Sequence, residues 1–354
     1  MDRPFRAEQV FEAIHLQGIL DFAAMTTLPT HLREVLAQNF SLSLPRCQSR
    51  HMASDGTTKY LLELSDGRVI EAVDIPERDR RTFCISSQAG CALGCRFCVT
   101  GFWGADRNLT AGEIVGQVLK LEREGRVEQP PNLVFMGMGE PLLNPEAVQD
   151  AIEILSERIS VRRMTLSTAG HLPGLEAMSC WPKRPNLAVS LHAPDDERRS
   201  ELMPINRVYP IRDLLAVLKR FPLEPRRRIT IEYLLLAGFN DALADADLLA
   251  QRLRPLRAKI NLIPFNPDPV LPSWMSPPEP QHVEAFRRRL EERGFAATIR
   301  RRRGHEVQAA CGQLRASDRL PRGFRGPVDG LHQAHVSLRP HPNPSRRKLE
   351  SHAG

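Results

Sequence analysis

Apolar residues near the start of the chain recur at helical spacing. Val10, Phe11 and Ile14 share one face, and Leu32, Val35 and Leu36 share a face of a second helix that Thr30 is placed to cap. Between them DFAAMTTLP, broken by Pro29, reads as a connector, so residues 1–50 are expected to form a compact helical module. The period then changes to two. TKYLLEL and RVIEAVDI flank Ser65-Asp66-Gly67, which predicts a β-hairpin over residues 51–80. In its second strand Val69, Glu71 and Val73 share a face, so a carboxylate interrupts an apolar stripe. A buried base is one reading of Glu71 and an edge-strand glutamate is the other.

From Arg81 the alternation disappears. RTFCISS, NLVFMG, MTLSTAG, NLAVSLHA, RITIEYLLL and KINLIPFN are short apolar runs, as in parallel strands buried on both faces, and FAATIRRR reads as a last strand. Helical stretches separate them, among them Thr110 to Glu124, opened by a Thr110/Glu113 capping box, and Ile211 to Arg220. This order predicts an α/β fold. Six such strands rather than eight predict a partial (β/α)6 barrel over residues 81–314, splayed enough to admit a large substrate.

Ligands of such folds sit at the carboxyl ends of the strands, where this chain places its polar residues. Gly137-Met138-Gly139-Glu140-Pro141 follows NLVFM, Ser167 and Thr168 end the next strand, Ser190 and His192 the one after, and Asn266 follows NLIPF. The glycines would let backbone approach a ligand, and Glu140 would accept a hydrogen bond from an ammonium group. A tight turn and a core histidine are the plainer readings of GMGEP and His192 taken singly, but four strand ends agreeing on one rim favour a ligand site. Beyond Leu314 the periodicity is lost. PRGFRGPVDG and RPHPNPSRRKLE are rich in Pro, Gly and Arg, so residues 315–354 are expected to be a disordered basic tail.

Composition changes this picture little. The 354 residues are 42% hydrophobic and 26% charged, as in globular proteins. A start charged from its second residue, MDRPFRAEQV, and the lack of an eighteen-residue apolar run predict no membrane span or signal peptide, hence a cytoplasmic protein. A net charge of +7 makes a polyanionic partner plausible, and arginines are dense at Arg226–Arg228, Arg287–Arg289 and Arg300–Arg303. Such runs are more often solvated faces than binding surfaces.

The cysteines change it more. Four of seven fall in CISSQAGCALGCRFC, from Cys84 to Cys98, a distribution that fits a reducing compartment and a metal site better than a disulfide framework. Cys91, Cys95 and Cys98 form C-x3-C-x2-C. Three thiolates can hold a 4Fe-4S cubane with its fourth iron open, which suggests S-adenosylmethionine bound there through its amino and carboxylate groups. Structural zinc usually shows two separated ligand pairs, and no second pair follows. Cys311 stands apart in RRRGHEVQAACGQL, where small neighbours favour an accessible thiol, although a lone cysteine is normally a small buried hydrophobe. Cys47 and Cys180 read as packing or surface thiols.

Taken in order, CISSQAG before the cysteine triplet, RNLT, GMGEP, STAG, SLHAPDDERR, LMPIN, IEYLLL, NLIPFNP and AACGQL make a set of motifs. The chain resembles the RlmN/Cfr group of radical S-adenosylmethionine RNA methyltransferases from about residue 4 to residue 314. The resemblance implies methylation of an adenosine in 23S rRNA, and in certain tRNAs, at carbon 2, an electrophilic carbon with no lone pair. It further implies that one S-adenosylmethionine methylates Cys311. A second, on the cluster held by Cys91, Cys95 and Cys98, is cleaved to a radical that takes a hydrogen from that methyl. The carbon radical joins the adenine, and Cys84 releases the product, leaving a Cys84–Cys311 disulfide to be reduced.

Glu71 then aligns with the proton acceptor, and Gly139, Glu140, Ser167, Ser190, Leu191, His192 and Asn266 with the S-adenosylmethionine site. A flavodoxin or ferredoxin donor, a monomeric state and an RNA-contacting N-terminal module are implied as well. Pro141 and Glu232 favour the RlmN-like branch over the Cfr-like one, which methylates carbon 8. That branch, a paralogue acting on another RNA, and a non-catalytic iron-sulfur or zinc RNA-binding protein remain the alternatives at this point.

Overall fold

The computed structural model describes residues 5–125, 129–301, 303–309 and 312–314. The N-terminal module consists of α1 (Phe5–His15), a 3-10 turn at Phe22–Ala24 and α2 (Thr30–Asn39). It has a small core of its own, with Ala13, Phe22, Met25, Leu28 and Leu36 buried and Val10, Ile14 and Leu32 packed against them. Two details differ from expectation. Pro29 takes the cap position and makes Thr30 the first helical residue, and Val35 is 37% exposed because the module covers only the Leu32–Leu36 side of the helix.

Strand β1 (Arg46–Met52) crosses the boundary expected at residue 50 and pairs antiparallel with β2 (Thr58–Glu63). β2 pairs with β3 (Val69–Glu77), and β3 with β4 (Arg80–Cys84), all antiparallel. The hairpin is thus continuous with the sheet that follows. β5 (Gln88–Gly90) and β6 (Ala105–Asn108) form a separate two-stranded ribbon. β7 (Asn132–Phe135), β8 (Met164–Thr168), β9 (Asn186–Ser190), β10 (Ile229–Leu235), β11 (Ala258–Pro264) and β12 (Ala297–Ile299) then run parallel to one another, and β7 runs parallel to β4.

The ten-stranded order is β1-β2-β3-β4-β7-β8-β9-β10-β11-β12, and among the described residues its two ends do not pair, which makes a partial barrel. All six predicted runs became strands. The short β12 adds a seventh to the parallel set because it needs only three residues to extend the edge of β11.

Helices α4 (Ala111–Gly125), α5 (Pro145–Ser156), α6 (Leu172–Ser179), α8 (Ile211–Arg220), α9 (Leu243–Leu253) and α10 (Pro280–Glu292) connect the parallel strands. Their apolar stripes, such as Ile211, Leu214 and Leu218 of α8, join the strands in one large core. The predicted capping box opens α4: Thr110 N donates to Glu113 Oε2 (2.9 Å) and Glu113 N to Thr110 Oγ1 (3.2 Å). Two short helices, α3 (Val99–Trp103) and α7 (Asp196–Leu202), lie in the loops at the carboxyl ends of the strands. A second apolar cluster gathers there, with Leu93, Cys95 and Val99 packed among Leu202, Met203, Leu234 and Phe265. Among the described residues no helix is long and apolar enough to cross a membrane.

One fully buried side chain ties two of these loops. Asn240 Nδ2 donates to the carbonyls of His192 (2.7 Å) and Leu234 (2.6 Å), and its Oδ1 accepts from Leu236 N (2.8 Å). Asn240→Leu keeps the volume but leaves those groups without their partner, each worth about 1–3 kcal/mol when buried and unsatisfied. Urea denaturation should show a loss of about 2–4 kcal/mol, and an unchanged midpoint would contradict this account.

Candidate active site

The glycines of Gly137-Met138-Gly139 are required by protein rather than by a ligand. A Cβ on Gly137 would stand 2.6 Å from Ile85 O, and one on Gly139, where φ is +102°, 2.6 Å from Gln88 Cβ. The loop after β7 therefore lies flat against the segment joining β4 to β5, with Ser87 N donating to Met138 O (2.9 Å) and Gly137 N to Ile85 O (3.0 Å). Glu140 continues the same knitting. Its Oε1 accepts from Leu142 N (3.0 Å) and its Oε2 from Ala169 N (2.7 Å), joining the carboxyl ends of β7 and β8. Burial pushes its pKa up, and the Ala169 hydrogen bond opposes that rise. Glu140 is thus first a tie between loops, with only its remaining lone pairs left for a ligand.

Arg199 on α7 ties the next pair. Its guanidinium is buried, enters no ion pair among the described residues, and donates to the carbonyls of Ala169 (2.7 Å), Ser190 (3.2 Å) and Leu191 (3.2 Å) and to Asn206 Oδ1 (2.6 Å). Burial brings its pKa down to about 10, which still leaves it charged near neutrality. His192 follows with a positive φ of 60°. Its Nδ1 accepts from Leu234 N (3.0 Å), its ring meets Phe97 edge-on (4.7 Å), and burial together with Arg199 lowers its pKa to about 3. It is therefore a neutral imidazole, held in a sparsely allowed conformation by the loops on either side.

These ties bring the predicted residues together. Cys91, Cys95, Cys98, Gly139, Glu140, Ser167, Ser190 and His192 all line one cavity, with Glu232 and Arg300 on its wall. Two predicted residues do not. Leu191 is buried, with its N–H donated to Glu232 O (3.0 Å) and its carbonyl taken by Arg199. Asn266 lines the adjoining cleft instead, and its buried Oδ1 has no hydrogen-bond partner, as expected of a group awaiting a ligand's donor.

The cysteine loop is held from within by Cys98 N to Cys95 O (3.1 Å), and Gly101 packs so closely that a Cβ would stand 3.1 Å from Cys95 N. Burial pushes the Cys91 thiol up to about 12 and raises Cys95 and Cys98 as well. Such groups become thiolates when a cationic centre binds them. Among the described residues no three His, Cys, Asp or Glu side chains are gathered around a single ion; these thiols line a shared wall.

The far end of the folded chain docks on this loop. Val99 N donates to Gly312 O (2.7 Å), Thr100 Oγ1 to Leu314 O (2.7 Å) and Gln313 Nε2 to Pro267 O (2.9 Å). Cys311, the residue before Gly312, lies outside the described residues, as does the tail from residue 315. Upstream, Glu306 accepts from Ser54 N (3.0 Å) and Ser54 Oγ (2.6 Å), which fastens the same segment to the β1–β2 turn.

Cys84 and Glu71 sit side by side on the sheet. Val73 pairs with Cys84 across β3 and β4, so Glu71, two residues before Val73, is on the same face as Cys84. Cys84 is buried at the carboxyl end of β4. Glu71 is on an interior strand and 1% exposed, and Lys59 Nζ, also buried, lies 3.1 Å from its Oε1. The edge-strand reading is thereby excluded.

Comparison with known proteins agrees. The Radical SAM superfamily profile matches residues 85–249, and that of the ribosomal RNA large subunit methyltransferase N-terminal domain matches residues 1–42. The dual-specificity RNA methyltransferase RlmN of Syntrophobacter fumaroxidans is 46% identical over 318 residues, covering 88% of this chain and 92% of that protein. The chain belongs to the RlmN family. An RlmN of Geobacter sulfurreducens is 45% identical over 88% of the chain and 86% of its own length. A radical SAM methyltransferase from Sphaerobacter thermophilus superposes with a TM-score of 0.83 at 43% identity, covering 88% of this chain and 93% of that one. RlmN membership makes the protein a radical SAM methyltransferase and sets aside a non-enzymatic role.

Lys59 and Arg199 were not singled out from sequence, and Glu232 was noted only as a mark of the branch. Arg199 stands within SLHAPDDERR, but nothing local distinguishes it from half-buried Arg198 beside it, which pairs with Asp195 and Asp245. Glu232 is legible only once β10 is placed: it faces the cavity, accepts from Asn261 Nδ2 (2.7 Å), and burial raises its pKa. Lys59→Met would remove the ammonium from beside the buried Glu71 carboxylate. A loss of about 3–5 kcal/mol in unfolding free energy is expected, and Lys59→Arg should recover part of it.

Proposed function

We propose that this RlmN-family enzyme methylates carbon 2 of an adenosine in 23S rRNA, and also in tRNA, with Cys311 as methyl carrier and Cys84 as resolving thiol. The observation that carries the reading is the strap at the end of the chain. The backbone one residue past Cys311 is hydrogen-bonded to the residue one past Cys98, which ties the carrier segment to the cysteine loop. The name shared by the relatives, dual-specificity RNA methyltransferase, supports an RNA substrate of two kinds.

The residues present fit the implied cofactors. Three thiols on one cavity wall match three irons of a 4Fe-4S cluster, while Glu140, Ser167, Ser190, His192 and, from the adjoining cleft, the unpartnered Asn266 Oδ1 offer polar groups to S-adenosylmethionine. When bound, the pair supplies the one-electron chemistry that a carbon without a lone pair requires. The protein's part is positional. Gly139 admits the loop after β7 to the rim, and Glu140 and Arg199 fix the backbone around the cavity. Leu191 contributes a buried side chain beneath it.

Glu71 accepts the proton lost from the adenine carbon, with Lys59 Nζ 3.1 Å from its Oε1. Cys84, on the same face, attacks the Cys311 sulfur. The bond from that sulfur to the methylene breaks, the carbon leaves with the electron pair and takes a proton to become the methyl group, and the freed RNA leaves a Cys84–Cys311 disulfide behind for reduction. The reading includes two molecules of S-adenosylmethionine per turnover, a flavodoxin or ferredoxin donor, a monomeric cytoplasmic enzyme, and an N-terminal module over residues 1–50 that holds the RNA. Carbon 8 is not favoured: the relatives are RlmN proteins, Glu232 of β10 lines the cavity, and Pro141 directly follows cavity-lining Glu140.

Two measurements test this. Mass spectrometry of rRNA and tRNA from a strain lacking the gene should reveal a missing 2-methyladenosine, and an unchanged inventory in both pools would sink the proposal. With purified enzyme, Cys84→Ala should accumulate a covalent protein–RNA adduct on denaturing gels, whereas Cys311→Ala should give neither adduct nor product. Equal product from the two variants would reject the two-thiol route.

A further inference from the structure

Of the three arginine runs, one differs in its surroundings. On α10, Arg287 pairs with Glu284 and Glu291, Arg288 with Glu284, and Arg289 with Asp247 and Glu292, so that run is a neutralised outer face. In the second, Arg227 pairs with Glu224. The described members of the third, Arg300, Arg301 and Arg303, line a cleft of about 660 Å³ together with Arg78 and Arg80 from the β3–β4 turn. Five arginines face one carboxylate there, that of Glu77, which pairs with Arg80. Asp55 stands 3.8 Å from Arg303, while Arg78 and Arg301 enter no ion pair among the described residues. Its size is within the ~300–1,000 Å³ of ligand sites.

Its place in the sheet gives this charge a direction. Glu77 pairs with Arg80, Ile75 with Thr82 and Val73 with Cys84, so the face that lines the cleft continues, residue by residue, to Cys84 and Glu71. At its other side Ile263 and Arg300 line both the cleft and the cysteine cavity. Ile75, Ile263 and Ile299 provide apolar surface between the cations.

We infer that this cleft is the groove in which RNA docks: its arginines take the phosphates flanking the target nucleotide, and the extruded base passes along the apolar surface toward Cys84 and Glu71. The inference rests on the RNA-methyltransferase reading. Guanidinium groups spaced around a nucleotide-sized cleft suit phosphodiesters, and a base within a folded RNA must leave its stack to be modified.

The test uses Arg78→Ala/Arg301→Ala, two exposed side chains outside the cysteine cavity, against a control, Arg252→Ala/Arg254→Ala, at the end of α9 outside the cleft. Binding of an unmodified tRNA transcript is followed by fluorescence anisotropy from 50 to 200 mM salt, with melting temperatures confirming the fold. The cleft variant should bind about tenfold more weakly at physiological salt, and the slope of log K against log salt should fall by about 1.5–2, close to one unit per lost phosphate contact. The control should match wild type. Wild-type affinity and slope in the cleft variant, or an equal loss in the control, would overturn the docking groove while leaving the RNA reading intact. Failure of the wild-type protein to bind the transcript would overturn the RNA reading and the groove with it.

Discussion

A buried guanidinium that enters no ion pair among the described residues is the constraint on which the carboxyl end of the barrel depends. Arg199 is charged, fully enclosed and satisfied only by oxygens of the protein's own backbone and one amide. Removing a charge from water is costly, so the arrangement is stable only if every donor is met. Meeting them fixes the backbone after β8 and β9 at once, and Glu140 fixes β7 to β8 in the same manner. The rim is therefore rigid before any ligand arrives, and the strained φ of His192 is held in place by that rigidity.

Rigidity at the rim contrasts with the construction of the first strands. There the sheet is antiparallel, and it brings Lys59, Glu71 and Cys84 to adjacent strands. An antiparallel start on a parallel barrel leaves the sheet open at β1 among the described residues, with Glu71 inside β3 and Cys84 at the carboxyl end of β4. The arginine cleft lies on that same inner face and adjoins the cysteine cavity through Ile263 and Arg300.

Much of this was legible in the residues. Apolar runs located the parallel strands, the capping box located α4, and the cysteine spacing located the loop that the cavity surrounds. β1 was missed because Arg46–Met52 carries polar side chains on both faces, so no alternation marks it. Thr30 misled because a proline just before it already sets the chain direction. The glycines after β7 were correctly flagged as sites of close approach, but what approaches is the β4–β5 segment, a contact between residues 52 positions apart. Arg199 shows the limit most clearly: burial on carbonyls in place of a direct ion pair is a property of tertiary structure, and its neighbour in sequence, Arg198, is held by two carboxylates instead.

The strap from Gly312 to Leu314 has a consequence for biogenesis. It lies late in the chain yet is hydrogen-bonded to α3, immediately behind the cysteine triplet. While the polypeptide is being made, the loop with Cys91, Cys95 and Cys98 emerges from the ribosome more than two hundred residues ahead of the segment that fastens onto it. The three thiols are therefore presented for a time without that closing piece. The order in which the chain is synthesised leaves the cysteine loop open first and closes it last.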